Sequence, residues 1–197
     1  GDSRTVDTKL ALGASVPSNV EFIARGSQGL SWFKSTGYRQ LLRLVASRPR
    51  SEKKAVIINL GVNDLNNSSA YVTYMKKVAV KIEVIKWKTR YRNYNELAKK
   101  YNCKMYYLSV NPVNSAMVKN AGAIYRTEAQ VAAFNKVIYR KLCSGKNKSF
   151  TYINSCTNLQ MKGWISNRHG AGIYDGLHYS NATYLRIFDY CMRYLNR

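Results

Sequence analysis

Acidic residues are scarce in this chain, with ten Asp and Glu against 32 Lys and Arg among 197 residues. The formal net charge of +22 creates a strong positive field that attracts anionic polymers. The sequence lacks zinc-ligand spacing, a helix-turn-helix signature and an aromatic-rich recognition motif, so it indicates no specific nucleic-acid partner. Teichoic acid, an acidic polysaccharide and an anionic membrane surface remain open as partners. Adsorption without any physiological partner remains equally open.

Long apolar runs are also missing. None reaches the length of a transmembrane segment, and no signal peptide is recognised. The chain is nevertheless 46% hydrophobic and 12% aromatic. This composition is too rich for a disordered protein and predicts one compact domain over residues 1–197.

Histidine is rare, with only His169 and His178, and the run from Ala129 to Tyr174 contains no acidic residue. Because no Cys, His and carboxylate groups cluster at ligand spacing, we expect no metal and no cofactor.

Four cysteines permit disulfides without requiring them. We expect Cys103, Cys143 and Cys191 to gather at the sheet edge opposite the candidate site and Cys156 to lie near that site. A Cys156–Cys191 bridge would then span too far. Buried thiols that behave as small hydrophobic groups are therefore expected.

Three short motifs supply the groups that an acyl-transfer hydrolase needs: Gly1-Asp2-Ser3, Gly61-Val62-Asn63-Asp64 and Asp175-Gly176-Leu177-His178. Ser3 is a candidate nucleophile, His178 a base that takes its proton, and Asp175 an acceptor that holds the imidazole in one tautomer. Asn63 adds an amide donor for the oxyanion. Each motif alone is an ordinary turn or helix cap, but the combination predicts an enzyme.

On these residues the chain resembles the SGNH (GDSL) hydrolase superfamily. The resemblance spans nearly the whole chain, with Ala24 to Gly29 matching the family's glycine block. It implies esterase activity without a metal, and an oxyanion hole formed by Ser3, Gly29 and Asn63. Gly26 would then be a turn glycine that needs only its tolerance of positive φ. A substrate is not implied, because one fold hosts many acyl groups.

Alternating strands and helices predict a three-layer α/β/α domain with a flavodoxin-like parallel sheet. The predicted strands are Asn19 to Arg25, Ala55 to Gly61, Lys104 to Val110 and Ser149 to Ser155. The predicted helices are Tyr38 to Ala46, Glu128 to Leu142 and a final helix capped by Ser180. The first strand of such a sheet is expected before Gly1, and the sequence does not contain it. Ser3, Gly29, Asn63 and the loop carrying His178 are expected at the carboxyl edge of the sheet.

The segment from Leu65 to Cys103 is longer than one crossover helix requires and is strongly basic. The residues from Val78 to Ile85 fit either a strand or a helix. Two interpretations remain open. The segment is either the solvated face of a long helix, or a basic insertion at about 70–100 that contacts an anionic polymer.

Three further residues lie beside the motifs. Arg4 is a candidate substrate contact, with a salt bridge to a carboxylate as its alternative, and Tyr179 is a second candidate. Trp32 is a third, with a core position as its alternative. Asp2 and Asp64 are expected to fix backbone turns.

We therefore predict a serine esterase that acts on an O-acetylated carbohydrate or a short-chain acyl ester through an acyl-enzyme. The alternative is a non-catalytic module that binds a polyanion or the cell wall and keeps the fold. The family's habits and the basic charge favour a secreted or cell-envelope location, with a cytoplasmic one still open.

Overall fold

The computed structural model describes residues 1–83, 101–121, 126–146, 148–169 and 172–196. Eight α-helices lie in these ranges and are numbered here in chain order: α1 (Ser3–Leu12), α2 (Leu30–Trp32), α3 (Tyr38–Ser47), α4 (Ser68–Glu83), α5 (Ser115–Asn120), α6 (Glu128–Ile138), α7 (Ser155–Lys162) and α8 (Asn181–Leu195). Two π-helical turns, Phe33–Gly37 and Tyr139–Cys143, join α2 to α3 and extend α6.

The main sheet is parallel and has the order β1-β2-β3 in the described ranges. Its strands are β1 (Lys54–Ile58), β2 (Cys103–Leu108) and β3 (Thr151–Ile153). Lys54 pairs with Cys103, and Tyr106 pairs with Thr151. Parallel strands need crossover connections, and α4 and α6 lie in the connections after β1 and β2. The last two strands, β4 (Ser166–His169) and β5 (Ile173–Tyr179), form an antiparallel hairpin.

The central strand β2 has both of its faces buried. Met105 and Tyr107 belong to the larger core cluster, to which α3, α4 and α6 contribute. Tyr106 and Leu108 point to the opposite face and pack in a second cluster with residues of α7 and α8. Helices therefore cover both faces of the sheet. The predicted three-layer α/β/α fold is confirmed.

The predicted strands Ala55 to Gly61, Lys104 to Val110 and Ser149 to Ser155 correspond to β1, β2 and β3. The prediction of a strand from Asn19 to Arg25 is wrong. That segment makes two backbone hydrogen bonds to Gly1. The Gly1 nitrogen donates to the Ile23 oxygen, and the Arg25 nitrogen donates to the Gly1 oxygen. Two such contacts do not form a ladder.

The helix predictions hold for α3, α6 and α8. Ser180 caps α8, since its hydroxyl accepts from the Thr183 nitrogen at 3.3 Å. In the basic segment, α4 extends through Glu83, so the helical interpretation is confirmed up to that residue. Residues 84–100 lie outside the described ranges, and the insertion at about 70–100 stays a prediction there.

All four cysteines lie in the described ranges and none forms a disulfide. Burial raises the pKa of Cys143 to about 12 and that of Cys156 to about 11, as expected for thiols packed as hydrophobic groups. The expected grouping of Cys103, Cys143 and Cys191 is wrong. Cys191 packs in the second cluster, across the sheet from Cys103 and Cys143.

Across the described residues, no helix is both long enough and apolar enough to cross a membrane.

Candidate active site

Ser3 is the first residue of α1, and its neighbour Asp2 fixes the backbone there. The Asp2 carboxylate caps the helix by accepting from the Arg4 nitrogen at 3.0 Å. The Asp2 nitrogen donates to the oxygen of Asn59, just after β1, at 3.3 Å. Asp2 is only 1% exposed, and burial raises the pKa of its carboxyl. As expected, Asp2 sets the backbone that presents Ser3.

Asp175 and His178 lie on β5, whereas the sequence predicted a loop for His178. The difference arises because the chain doubles back as the β4–β5 hairpin. Asp175 Oδ1 accepts from the backbone nitrogens of Leu177 and His178 at 2.8 and 2.9 Å. This local ring of hydrogen bonds leaves Oδ2 to face the histidine ring.

The backbone bend between the two residues needs a glycine. Gly176 has φ of +68°, in the left-handed region. A Cβ at this position would lie 2.6 Å from the backbone oxygen of Asn114 and 2.8 Å from the Cβ of Met117. The Asn114 nitrogen donates to the Gly176 oxygen at 3.0 Å. Close packing against the start of α5 therefore holds the bend in place.

Ser3, His178 and Asp175 form a continuous hydrogen-bonded relay. His178 Nε2 lies 2.8 Å from Ser3 Oγ, and His178 Nδ1 lies 2.6 Å from Asp175 Oδ2. Burial alone would raise the pKa of Asp175, but the hydrogen bonds from the His178 ring and from two backbone nitrogens lower it to about 2. Asp175 is thus ionised at neutral pH and accepts the Nδ1 proton, so Nε2 is left to accept from Ser3.

Asn63 lies in a turn that begins at Gly61, whose φ is +134° and whose added Cβ would lie 2.7 Å from Phe134. Asn63 Nδ2 donates to the Gln28 oxygen at 2.7 Å. A primary amide has two N–H groups, so one remains for a substrate oxygen.

Gly29 sits directly against Asp64. A Cβ on Gly29 would lie 1.7 Å from Asp64 Oδ2, whereas a Cβ on Gly26 would have no atom within 4 Å. Asp64 Oδ2 also accepts from the Leu30 nitrogen at 3.0 Å, which ties the glycine block to the asparagine block. Asp64 therefore fixes the backbone, as expected. Gly26 lies in a turn, as expected, but the positive φ of 55° falls on Ser27, so the turn does not use the conformational freedom of Gly26.

Arg126 was not identified from the sequence. Its Nη2 donates to Asn63 Oδ1 at 3.0 Å and its Nε donates to the Val62 oxygen at 2.8 Å. The amide of Asn63 is therefore held with its oxygen toward Arg126 and its nitrogen toward Gln28. The only nearby sequence signal is the capping box that starts α6 at Thr127, and it says nothing of Asn63.

His169 was also missed as a neighbour of the site. Its ring lies against that of His178, with centroids 4.1 Å apart and planes tilted by 33°. His169, Asp175 and His178 offer ligand-type atoms that all lie within 4.8 Å of one another. The ring nitrogens of His178 and the Asp175 carboxylate already bond within the relay, so the relay accounts for two of these three side chains.

The three candidate substrate contacts, Arg4, Trp32 and Tyr179, are all buried inside the protein. The Arg4 guanidinium is 3% exposed and donates to three backbone oxygens, those of Leu177, Asn111 and Pro112. It therefore joins β5 to the loop after β2, and contacts neither a substrate surface nor the expected carboxylate. Trp32 packs in the larger core cluster, as its alternative predicted. Tyr179 is fully buried and donates to the Pro112 oxygen.

Two solved structures resemble the chain over almost its whole length. One is described as "a putative platelet activating factor from Streptococcus pneumonia"; it is 17% identical, with 99% of this chain and 81% of that chain covered and a TM-score of 0.55. Another is 10% identical, with 98% and 93% covered and a TM-score of 0.58. At these identities the likeness shows the fold alone. None of the curated proteins matches the chain.

A family model, described as GDSL-like Lipase/Acylhydrolase, matches residues 7–191. The matched range includes Asn63, Asp175 and His178 and begins after Ser3, so the assignment of Ser3 depends on the relay geometry. Because the match covers most of the chain, the chain belongs to the GDSL-like Lipase/Acylhydrolase family and is a serine ester hydrolase with the SGNH fold.

Proposed function

We propose that the protein hydrolyses carboxylic esters through an acyl-enzyme on Ser3. Ser3 Oγ attacks the ester carbonyl while its proton passes to His178 Nε2, which lies 2.8 Å away. The bond to the leaving alcohol then breaks, and His178 returns the proton to that alcohol. Water attacks the acyl-enzyme in the second half, again through His178, and releases the acid and free Ser3. Asp175 stabilises the imidazolium in both halves.

The negative oxygen of each tetrahedral intermediate is held by three donors in this proposal: the backbone nitrogens of Ser3 and Gly29 and the side-chain amide of Asn63. The contact of Asp64 with Gly29 and the bond from Arg126 to Asn63 support it, because they fix two of these groups before a substrate binds. Donors held in advance stabilise developing charge without reorganising.

The relay from Ser3 through His178 to Asp175 is the observation that carries the proposal. A binding module that only kept the fold would have no need for a serine within 2.8 Å of an oriented imidazole. Membership of an acylhydrolase family agrees with catalysis, so the non-catalytic alternative is not favoured.

The test is hydrolysis of p-nitrophenyl acetate with labelling by a fluorophosphonate. The wild type should turn over and take up one label on the peptide that contains Ser3. Ser3→Ala should lose both, leaving at most the residual rate that oxyanion stabilisation and binding provide. Ser15→Ala, an exposed serine, is the matched control and should behave as the wild type. A Ser3→Ala variant with the wild-type rate would refute the proposal.

For the substrate, we propose an O-acetylated carbohydrate first and a short-chain acyl ester of a lipid second. A panel of acetyl, butyryl and octanoyl esters should show the fastest turnover with acetyl. An increase in kcat/KM with acyl length would argue for a lipid substrate instead.

We also propose that the ester is carried by an anionic polymer and that the protein acts in a secreted or cell-envelope setting. The net charge of +22 supports this part of the proposal. Added salt should then slow turnover of an acetylated anionic polymer, because the attraction is screened over about 10 Å at 0.1 M. The neutral p-nitrophenyl ester should be unaffected. Equal salt dependence of both substrates would remove the polymer from the proposal.

A further inference from the structure

The catalytic mechanism above makes no use of His169, although its ring stacks on the ring of His178. His169 is the last residue of β4 and pairs with Ile173 of β5, so the hairpin delivers it next to the relay. The ring centroids are 4.1 Å apart with a tilt of 33°. This distance is van der Waals contact between two flat rings, and one face of the His178 imidazole is covered.

The polar surroundings of His169 are unusual. Its Nε2 is buried and has no hydrogen bond among the described residues. The facing carboxylate is that of Asp7 on α1, with Oδ2 3.8 Å from Nε2. This separation is too long for a hydrogen bond and lies just within ion-pair distance. Asp7 Oδ2 is itself held by the hydroxyl of Tyr184 on α8 at 3.1 Å.

The charged and titratable groups facing His169 therefore come from three elements. Asp7 lies on α1, Asp175 and His178 lie on β5, and Tyr184 lies behind Asp7 on α8. On the same strand, the Arg168 guanidinium lies over the Tyr174 ring at 5.1 Å.

We propose that His169 is a positioning residue for His178: the flat ring of His169 covers one face of the His178 imidazole and holds that imidazole in the plane of the relay. This inference rests on the proposed function for its effect on rate. Its effect on the His178 ring does not depend on catalysis.

The positioning role follows from the geometry of two hydrogen bonds. Bonds at Nδ1 and Nε2 fix both ends of the His178 ring but allow it to rock about the line that joins them. A second flat ring on one face blocks that movement and keeps water away from that face. Small losses of alignment at a reacting centre lower rates by up to about a hundredfold.

Two variants test the positioning role. His169→Phe keeps a flat ring over His178, and His169→Ala removes the ring. Asn167→Ala, an exposed change on the same strand, is the matched control. For p-nitrophenyl acetate we expect His169→Ala to lower kcat about tenfold or more with little change in KM. His169→Phe should stay within about threefold of the wild-type kcat, because it restores the covering ring.

Ring NMR tests the contact without using activity. The chain has two histidines, so the spectrum contains two imidazoles, and each is assigned by substitution of the other. In the wild type and in His169→Phe, the ring-proton signals of His178 should be displaced by the ring that covers its face. In His169→Ala that displacement should be lost. The same result is expected in a Ser3→Ala background, so failure of the proposed esterase chemistry would leave this measurement intact.

The inference is overturned if the His178 ring signals are the same in the wild type and in His169→Ala, or if His169→Ala has the kcat of the wild type. A folded His169→Ala protein, checked by near-UV circular dichroism, is required for both comparisons. If it does not fold, the displacement of the His178 signals in His169→Phe, relative to those of a free histidine, decides alone.

Discussion

Replacement of Asp175 by Asn tests the relay most directly. The Oδ1 oxygen of Asp175 accepts from the nitrogens of Leu177 and His178 at 2.8 and 2.9 Å, and an asparagine oxygen can take both bonds. Its amide nitrogen must then face His178 Nδ1, where Oδ2 now lies at 2.6 Å. A donor at that position requires an unprotonated Nδ1, so the proton moves to Nε2. Nε2 is then unable to accept from Ser3.

The expected kinetic loss is about 10⁴-fold in kcat, the scale known for a wrong-tautomer triad. The structure also predicts a loss of stability. Hydrogen bonds from the His178 ring and the backbone lower the pKa of Asp175 from 3.8 to about 2 despite its burial. At about 1.4 kcal/mol per unit of pKa, the lowering of the Asp175 pKa contributes about 2 kcal/mol to the free energy of unfolding.

The pH dependence of that contribution has a definite sign. A carboxyl with a lowered folded-state pKa stabilises the protein above its unfolded pKa, and the stabilisation is lost as pH falls through the folded value. The difference between wild type and Asp175→Asn should therefore be full at pH 7 and decline between about pH 4 and pH 2. Urea unfolding at several pH values measures it. A variant with equal stability at pH 7, or with kcat within about tenfold of the wild type, would refute the relay as described.

Three further substitutions test the oxyanion side of the site. Asn63→Ala should lower kcat about 100- to 1000-fold with little change in KM, because its amide donates where charge develops; a rise in KM alone would make Asn63 a binding residue. Arg126→Met should lower kcat by about tenfold, because the Asn63 amide loses the donor at 3.0 Å that orients it, and it should add little to Asn63→Ala in a double-mutant cycle; full additivity would contradict the link. Gly29→Ala should reduce both kcat and thermal stability, because its Cβ would lie 1.7 Å from Asp64 Oδ2, while Gly26→Ala, with no atom within 4 Å of its Cβ, should match the wild type; equal behaviour of the two variants would show that the Gly29 contact has no role.

The sequence by itself was sufficient for the parts of the protein that depend on local patterns. Apolar runs closed by turn residues identified β1, β2 and β3, and helical spacing identified α3 and α8. The residues of the relay and Asn63 were found because a serine, an asparagine and an Asp-x-x-His stand in short motifs that together are typical of a serine hydrolase. The same local reasoning failed for Asn19 to Arg25, where a strand-like composition has no ladder to join.

Tertiary structure decided how those residues are held. Arg4, beside the nucleophile, turns inward because three backbone oxygens, one on β5 and two in the loop after β2, accept its N–H groups, and no local pattern records that. Arg126 reaches Asn63 and His169 reaches His178 across turns of the chain that only the folded protein brings together. The physical reason is the range of the interactions. Periodicity and turn chemistry act over a few neighbouring residues, whereas the alignment of a catalytic ring depends on contacts made by packing between elements far apart in the chain.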